Sequence, residues 1–368
     1  MNRYSMLAEQ RNIFDQIIGY IKTEKPLAVI ISGDIYDRAI PGVEAVNLFD
    51  DFLTELAGEN VTVMIIAGNH DSPERLNYAS RLLSGKKIFL SGSFAGILNK
   101  LVLTDEYGEV NFWLLPFIKP LSARGFFPER EIESCDDALA AILENASIDY
   151  SARNVLVSHQ YYTKAGLTPV RSESELNPVG GLDAIDSALI EQFDYAALGH
   201  LHGAQSAGAA HIRYAGSPVK YSFSECRQEK SLSLVVLKEK GNLDLRTLPL
   251  NPVHDMREIK GEIDKLLSDE ISSLASKEDY LRVILTDEDV IIDPVGKLRS
   301  VYPNVMGIDF DNSRKSIDTG AIFSEAEKLE KLSPYDLFIE FFLDLQGSTM
   351  TSEQLKIVRE LLETGDET

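Results

Sequence analysis

Four short stretches carry residue types that bind divalent cations: Gly33-Asp34-Ile35-Tyr36-Asp37, Gly68-Asn69-His70-Asp71, Ser158-His159 and Gly199-His200-Leu201-His202. Carboxylate, amide oxygen and imidazole together suit Mn2+, Fe2+ or Zn2+ better than Mg2+, which prefers oxygen and water. A carboxylate such as Asp34 can bridge two ions. Two ions a few ångströms apart can hold a phosphate, activate a water and stabilise a leaving oxygen. Any one of these residues alone reads as an ordinary polar group. The ordered series of all four stretches is what points to a metal site. His211 and His254 lack such a context and read as structural or surface residues. Asp37 is expected to support its loop, Asp71 to orient a neighbour. Tyr161 and Tyr162 read equally well as pocket lining or as packing.

The elements around these stretches explain how they could meet. Val61 to Ala67 is a run of apolar, mostly β-branched residues broken only by Thr62, which suits a buried central strand. It stops at Gly68. Leu27 to Ser32, Asn154 to Val157 and Tyr195 to Leu198 are similar short strands ending at Gly33, Ser158 and Gly199. A helix is expected from Ser5, as its cap, to Lys25, with Pro26 ending it, and others over Val43–Gly58, Pro73–Ser84 and Ala138–Asn145, the last preceded by Asp136 and Asp137. Strand, polar loop, helix, strand is the grammar of a parallel-rich sheet whose C-terminal strand ends share one edge. Strands near His211–Tyr214, Ser231–Leu237 and Leu243–Leu248 are expected to be antiparallel. A boundary is placed near Pro249-Leu250-Asn251-Pro252. Beyond it, Asp255–Asn312 reads as a small α+β unit of helix, strand Tyr280–Leu285, helix Val295–Ser300 and strand Val305–Phe310. A polar linker, Asp311–Gly320, leads to two helices, Pro334–Leu345 and Ser352–Leu362.

Composition narrows the class. Of 368 residues, 44 % are hydrophobic and 26 % charged, as in soluble globular proteins. No run is long and apolar enough for a membrane span, and the first residues have no signal-peptide core. Cys135 and Cys226 lack metal-type spacing and are expected to be free thiols, which suits the cytoplasm. The net charge of −22 is the opposite of what a phosphate-gripping protein usually carries. A nucleic-acid role must then rest on a local basic group, on bound cations or on a partner.

These stretches resemble the calcineurin-like metallophosphoesterases, and among them most closely the SbcD family of DNA double-strand-break repair nuclease subunits. The resemblance rests on SGDIYDRAIP, AGNHDSPERL, VSHQYY, NPVGGLDAID, FDYAALGHLHGAQ and IRYAGSPVKYSFSE and covers nearly the whole chain. It implies a sandwich of mixed sheets flanked by helices, a capping domain and a C-terminal helical pair, with segments 1–250, 251–315 and 316–368 as nuclease domain, capping DNA-binding domain, and linker with partner-binding tail. It implies that Asp34 bridges two metals, that Asn69, His159 and His200 complete one of them, and that His202 serves the other. His70 is similar to the histidine that assists the leaving 3′ oxygen. The implied reaction is Mn2+-dependent hydrolysis of DNA phosphodiesters, exonucleolytic and endonucleolytic. The tail helices, rich in Leu337, Phe338, Phe341, Phe342, Leu343, Leu345, Leu355, Ile357, Val358, Leu361 and Leu362, would dock on an SbcC-type ATPase within a heterotetramer built on a homodimer.

One departure stands out. The family opens with a strand ending in Asp-x-His, and no Asp-x-His precedes Asp34 here. The expectation is a chain truncated by a start codon set too late, with one metal site nearly complete, the other crippled, and little or no nuclease activity. Two other readings stay open: a phosphoesterase of another substrate class, and a non-catalytic DNA- or ATPase-binding subunit.

Overall fold

A computed structural model describes residues 4–164, 169–175, 184–312, 334–347 and 349–365. Hydrophobic patterning builds it as two units, Met1–Val253 and His254–Thr368. The first is a sandwich of two sheets. Strands β1 (Ala28–Ser32), β2 (Thr62–Ile66) and β3 (Ile88–Ser91) form a small parallel sheet in the order β1-β2-β3. Strands β4 (Asn99–Asp105), β5 (Gly108–Leu115) and β6 (Arg153–Ser158) enter the larger one. β7 (Tyr161–Thr163) and β8 (Ala184–Asp186) pair separately, and β9 (Tyr195–Leu198), β10 (Gln205–Ala207) and β11 (Ala209–Tyr214) complete the larger sheet, in the order β10-β11-β9-β6-β5-β4. Its inner strands β11, β9, β6 and β5 are parallel, and the two outer ones antiparallel. β12 (Ser231–Leu237) and β13 (Leu243–Pro249) form an antiparallel pair.

β2 shows how the sequence builds this sandwich. All five of its residues are buried. Side chains alternate across a strand, so Val63 and Ile65 pack on Ile18, Ile21, Phe49, Phe52 and Leu56 of helices α1 (Leu7–Glu24) and α2 (Val43–Gly58). Met64 and Ile66 face the other way, onto Val110, Phe112, Val155, Val157 and Tyr195 of the larger sheet. The outer face of that sheet is covered by helix Cys135–Ala146 through Ala138, Leu139 and Ile142, packed on Leu156, Ala196 and Leu198.

Several expected elements shift. The cap position of α1 is Met6, without a side-chain bond, although Ser5 Oγ accepts the Leu7 N–H at 3.4 Å. Asp136 and Asp137 lie inside their helix, because Ser134 and Asp137 form a capping box one residue before Cys135. The stretch Pro73–Ser84 is two short helices, Pro73–Leu76 and Ser80–Leu83, separated at Ala79, whose φ of 60° breaks the helical path. The strand containing His211–Tyr214 pairs parallel with β9 as well as antiparallel with β10.

In the second unit, β14 (Met256–Gly261), β15 (Tyr280–Leu285) and β16 (Val305–Phe310) are all parallel. Their core is Leu281, Val283, Leu285, Leu298, Tyr302 and Val305 with Ile263 and Leu266 from a short helix. The expected helix before β15 is present as Ile263–Leu267 and Asp269–Ser272, but it is preceded by an unexpected strand, β14, whose charged residues Arg257, Glu258 and Lys260 hide its period. Helices Pro334–Gln346 and Ser352–Gly365 follow. Most of the expected linker, and residues 165–168 and 176–182 of the loop between His159 and Leu182, fall outside the described residues. Among the described residues no helix is long and apolar enough to cross a membrane.

Candidate metal centre

Sequence alone suggests one sheet edge; the structure draws the cluster from two sheets. Asp34 and Asn69 follow β1 and β2 of the small sheet. His159 and His200 follow β6 and β9 of the larger one. The two edges meet because three strand ends carry glycine. A Cβ on Gly68 would lie 2.1 Å from Asp34 Oδ1 and 2.3 Å from its backbone nitrogen, and one on Gly199 would lie 1.8 Å from the Ser32 carbonyl oxygen. Gly33 is as tightly packed against His159 and adopts φ +88°. Asp34 and His200 themselves hold positive φ, 50° and 96°, a conformation costly for non-glycine residues and frequent at functional sites.

Ligand atoms of Asp34, His159 and His200 lie within 4.8 Å of one another. Asn69 Oδ1 joins them, 3.1 Å from His159 Nε2 and 3.0 Å from His200 Nδ1. His159 Nδ1 donates to the Ser32 carbonyl at 2.6 Å. In a neutral ring Nε2 therefore carries the lone pair, yet it faces two acceptors, Asn69 Oδ1 and Asp34 Oδ2, the latter at 3.2 Å. Two oxygen acceptors and a lone pair brought together in this way suit a cation. Burial raises the Asp34 carboxyl, but His159 and the His70 N–H outweigh it and bring it down to about 2. Burial, then His159, push His200 down to about 4, which keeps its lone pair available.

The neighbouring residues brace this cluster. The backbone N–H of His70 donates to Asp34 Oδ1 at 3.0 Å, and its ring Nδ1 to the Asp37 carbonyl at 3.0 Å. Asp37 thus serves through its backbone, while its carboxylate pairs with Arg38 in solvent. Asp71 is buried and accepts the N–H groups of Gly68, Ile35 and Tyr36 at 2.8, 3.1 and 3.0 Å, tying the β1 and β2 loops together.

Comparison with known proteins agrees with this geometry. Residues 5–204 match the calcineurin-like phosphoesterase family, and residues 252–344 match a family described as type 5 capsule protein repressor C-terminal domain, SbcD_C. The SbcD component of the nuclease SbcCD from Staphylococcus saprophyticus is 31 % identical over 98 % of this chain and 94 % of that protein. Its namesake from Staphylococcus epidermidis is 29 % identical over the same shares. The chain belongs to the SbcD family of calcineurin-like phosphoesterases. A weaker likeness, TM-score 0.39 at 13 % identity over 66 % of this chain and 95 % of the other, is to the protein TT1561 of Thermus thermophilus.

This SbcD-family chain holds His202 differently from the other three histidines at strand ends. It lies outside the Asp34–His159–His200 group. Its Nδ1 is 3.1 Å from Glu225 Oε1 and 2.9 Å from Ser174 Oγ, and its N–H donates to Glu175 at 2.7 Å. Glu225 is fully buried and paired with Lys230 at 2.7 Å. Burial raises the Glu225 carboxyl, but His202 and Lys230 carry it down to about 2. Lys230 Nζ also donates to the His202 carbonyl at 2.8 Å. These residues escaped the sequence reading. Glu225 ends YSFSE and Ser174 and Glu175 sit in RSESE, Ser/Glu-rich stretches with no period. His211 bonds the Glu191 carbonyl and His254 packs on Tyr280. Tyr162 is core, bonded to Ser158, whereas Tyr161 lies 6.2 Å from the His200 ring. Neither Cys135 nor Cys226 forms a disulfide.

Proposed function

We propose that this chain is the nuclease subunit of an SbcCD-type complex, hydrolysing DNA phosphodiesters in repair, recombination and replication. The observation that carries the reading is the convergence of Asp34, Asn69, His159 and His200 on one point, in a chain of this family. These four would hold one divalent ion, with Mn2+ best suited to the mixed oxygen and nitrogen donors. Asp34 would face a second ion, which His202 serves through Nε2 while Glu225 and Ser174 occupy Nδ1. Bound metal supplies charge neutralisation at the phosphate and an activated water.

The chain's own residues have separable tasks. His70, its Nδ1 engaged by the Asp37 carbonyl, presents Nε2 as the site that carries a proton to the leaving 3′ oxygen. Asp71 keeps the loops of Asp34 and Asn69 in register. Residues 1–250 form the nuclease domain, 251–315 a cap that helps hold DNA, and 316–368 a linker with helices that dock on an SbcC-type ATPase. Phe338, Phe341, Leu343, Leu345 and Ile357 of those helices are 40–58 % exposed, which supports a partner surface. The assembly would be a heterotetramer built on a homodimer, in the cytoplasm.

The reading is tested by incubating the chain, with its ATPase partner, with linear duplex DNA and with a small chromogenic phosphodiester, each with and without Mn2+. Slow Mn2+-dependent DNA shortening, in keeping with one nearly complete metal site, that disappears in His70→Ala and Asp34→Ala is the expected result. Turnover of the chromogenic ester with none of DNA would replace this reading by a phosphoesterase of another substrate class.

A further inference from the structure

We propose that Arg171 is a substrate-phosphate ligand, delivered to the metal-binding cluster by the segment 170–175. That segment is fastened to the His202 loop and its surroundings at successive positions. Val170 donates its N–H to Gln205 Oε1 at 2.9 Å and accepts Gln205 Nε2 at 2.8 Å on its carbonyl. Glu173 N–H bonds Ser224 Oγ at 2.9 Å. Ser174 Oγ bonds His202 and Glu225, and Glu175 accepts the His202 N–H. Backbone bonds to side chains set the register, so the place of Arg171 is imposed from both sides.

Its guanidinium carbon lies 3.7 Å above the Tyr161 ring centre. Tyr161 is buried and its ring centre is 6.2 Å from that of His200. Stacking engages only the face of a guanidinium and leaves five in-plane N–H donors. Among the described residues no hydrogen bond or ion pair engages Arg171. The buried cations of this unit, by contrast, are consumed by carboxylates: Arg153 by Asp105, Lys230 by Glu225.

A fixed cation beside a group of metal ligands is electrostatically unfavourable until an anion lies between it and the ion. A phosphodiester meets that requirement. Its two non-bridging oxygens match the guanidinium fork, and lysine cannot reproduce the paired geometry. In a chain of net charge −22, a local unpaired cation is also what a nucleic-acid role requires. The residue then binds and positions the strand and takes no part in bond breaking.

This inference rests on the DNA reading above. The test is binding of a short fluorescent duplex to the full chain in EDTA, by anisotropy, across a salt series. Arg171→Ala is expected to weaken binding several-fold at low salt and to reduce the slope of log K against log salt by about 1. Arg171→Lys keeps the slope but not the full affinity, and Tyr161→Leu, which removes the shelf and not the charge, weakens binding with the slope retained. Wild-type affinity and slope in Arg171→Ala would overturn the inference and leave the DNA reading standing. Absence of duplex binding by the wild type both in EDTA and with Mn2+ restored would overturn both.

Discussion

The Ser32 carbonyl oxygen accepts a 2.6 Å hydrogen bond from His159 Nδ1. Ser32 ends β1 of the small sheet, and His159 follows β6 of the larger one. The bond fixes the histidine tautomer and the contact between sheets at once. A ligating histidine held through its second nitrogen is the usual way a metal site sets ring orientation.

Replacing His159 by alanine removes a candidate ligand atom and this brace together. Isothermal titration of Mn2+ is expected to show affinity falling by more than the roughly 10–100-fold typical of losing a supporting bond alone. The wild-type chain should bind about one ion tightly, since the described residues hold one group of three ligands. Two tight ions of equal affinity, or an unaltered titration in His159→Ala, would contradict the site.

Gly199 has no room for a side chain. Its Cβ would lie 1.8 Å from the Ser32 carbonyl oxygen, a backbone atom that cannot rotate away. Gly199→Ala should cost roughly 1–3 kcal/mol in urea denaturation without metal, and lower Mn2+ affinity. Gly85→Ala, with nothing within 4 Å of the added carbon, is the matched control and should leave affinity unchanged.

Glu225 and Lys230 form a buried pair behind His202. Glu225→Leu alone leaves the Lys230 ammonium without its carboxylate and should destabilise the protein by about 3–5 kcal/mol. The double replacement Glu225→Leu with Lys230→Met removes both charges and should recover much of that loss, while leaving His202 without its Nδ1 partner. A double-mutant cycle by denaturant unfolding measures the coupling; additive losses would mean the pair is not one unit.

Alkaline stability has a definite sign. Burial raises the hydroxyls of Tyr162, Tyr195 and Tyr214, Tyr195 to about 12 from the ordinary 10. A raised folded pKa means stability is fully present below pH 10 and is lost as pH rises through the folded value. Each such tyrosine contributes a slope of about 1.4 kcal/mol per pH unit in that window. Chemical denaturation between pH 10 and 12 should show it, and Tyr195→Phe should reduce the slope by about one tyrosine's share.

The strand ends were legible because each puts polar residues immediately after a short apolar run, and Asp34, Asn69, His159 and His200 indeed come together. Their division between two sheets was not legible. The alternation of Val63 and Ile65 with Met64 and Ile66 records two buried faces but not what covers each. The support behind His202 was hidden for another reason. Glu225, Lys230 and Ser174 meet only through tertiary contacts, and a single Glu in a Ser-rich loop has no period to read. β14 was missed because Arg257, Glu258 and Lys260 mask its apolar positions.

A cluster drawn from both halves of a sandwich has a mechanical side. An ion held as proposed, by Asp34 and Asn69 on one half and by His159 and His200 on the other, would act as a clasp. Pulling the halves apart must first release it, so loading and rigidity are thermodynamically linked. Each tenfold rise of free Mn2+ above its dissociation constant would add about 1.4 kcal/mol to the closed sandwich. Chelation would loosen the end of the molecule where the substrate arrives and leave the far ends of the strands unaffected.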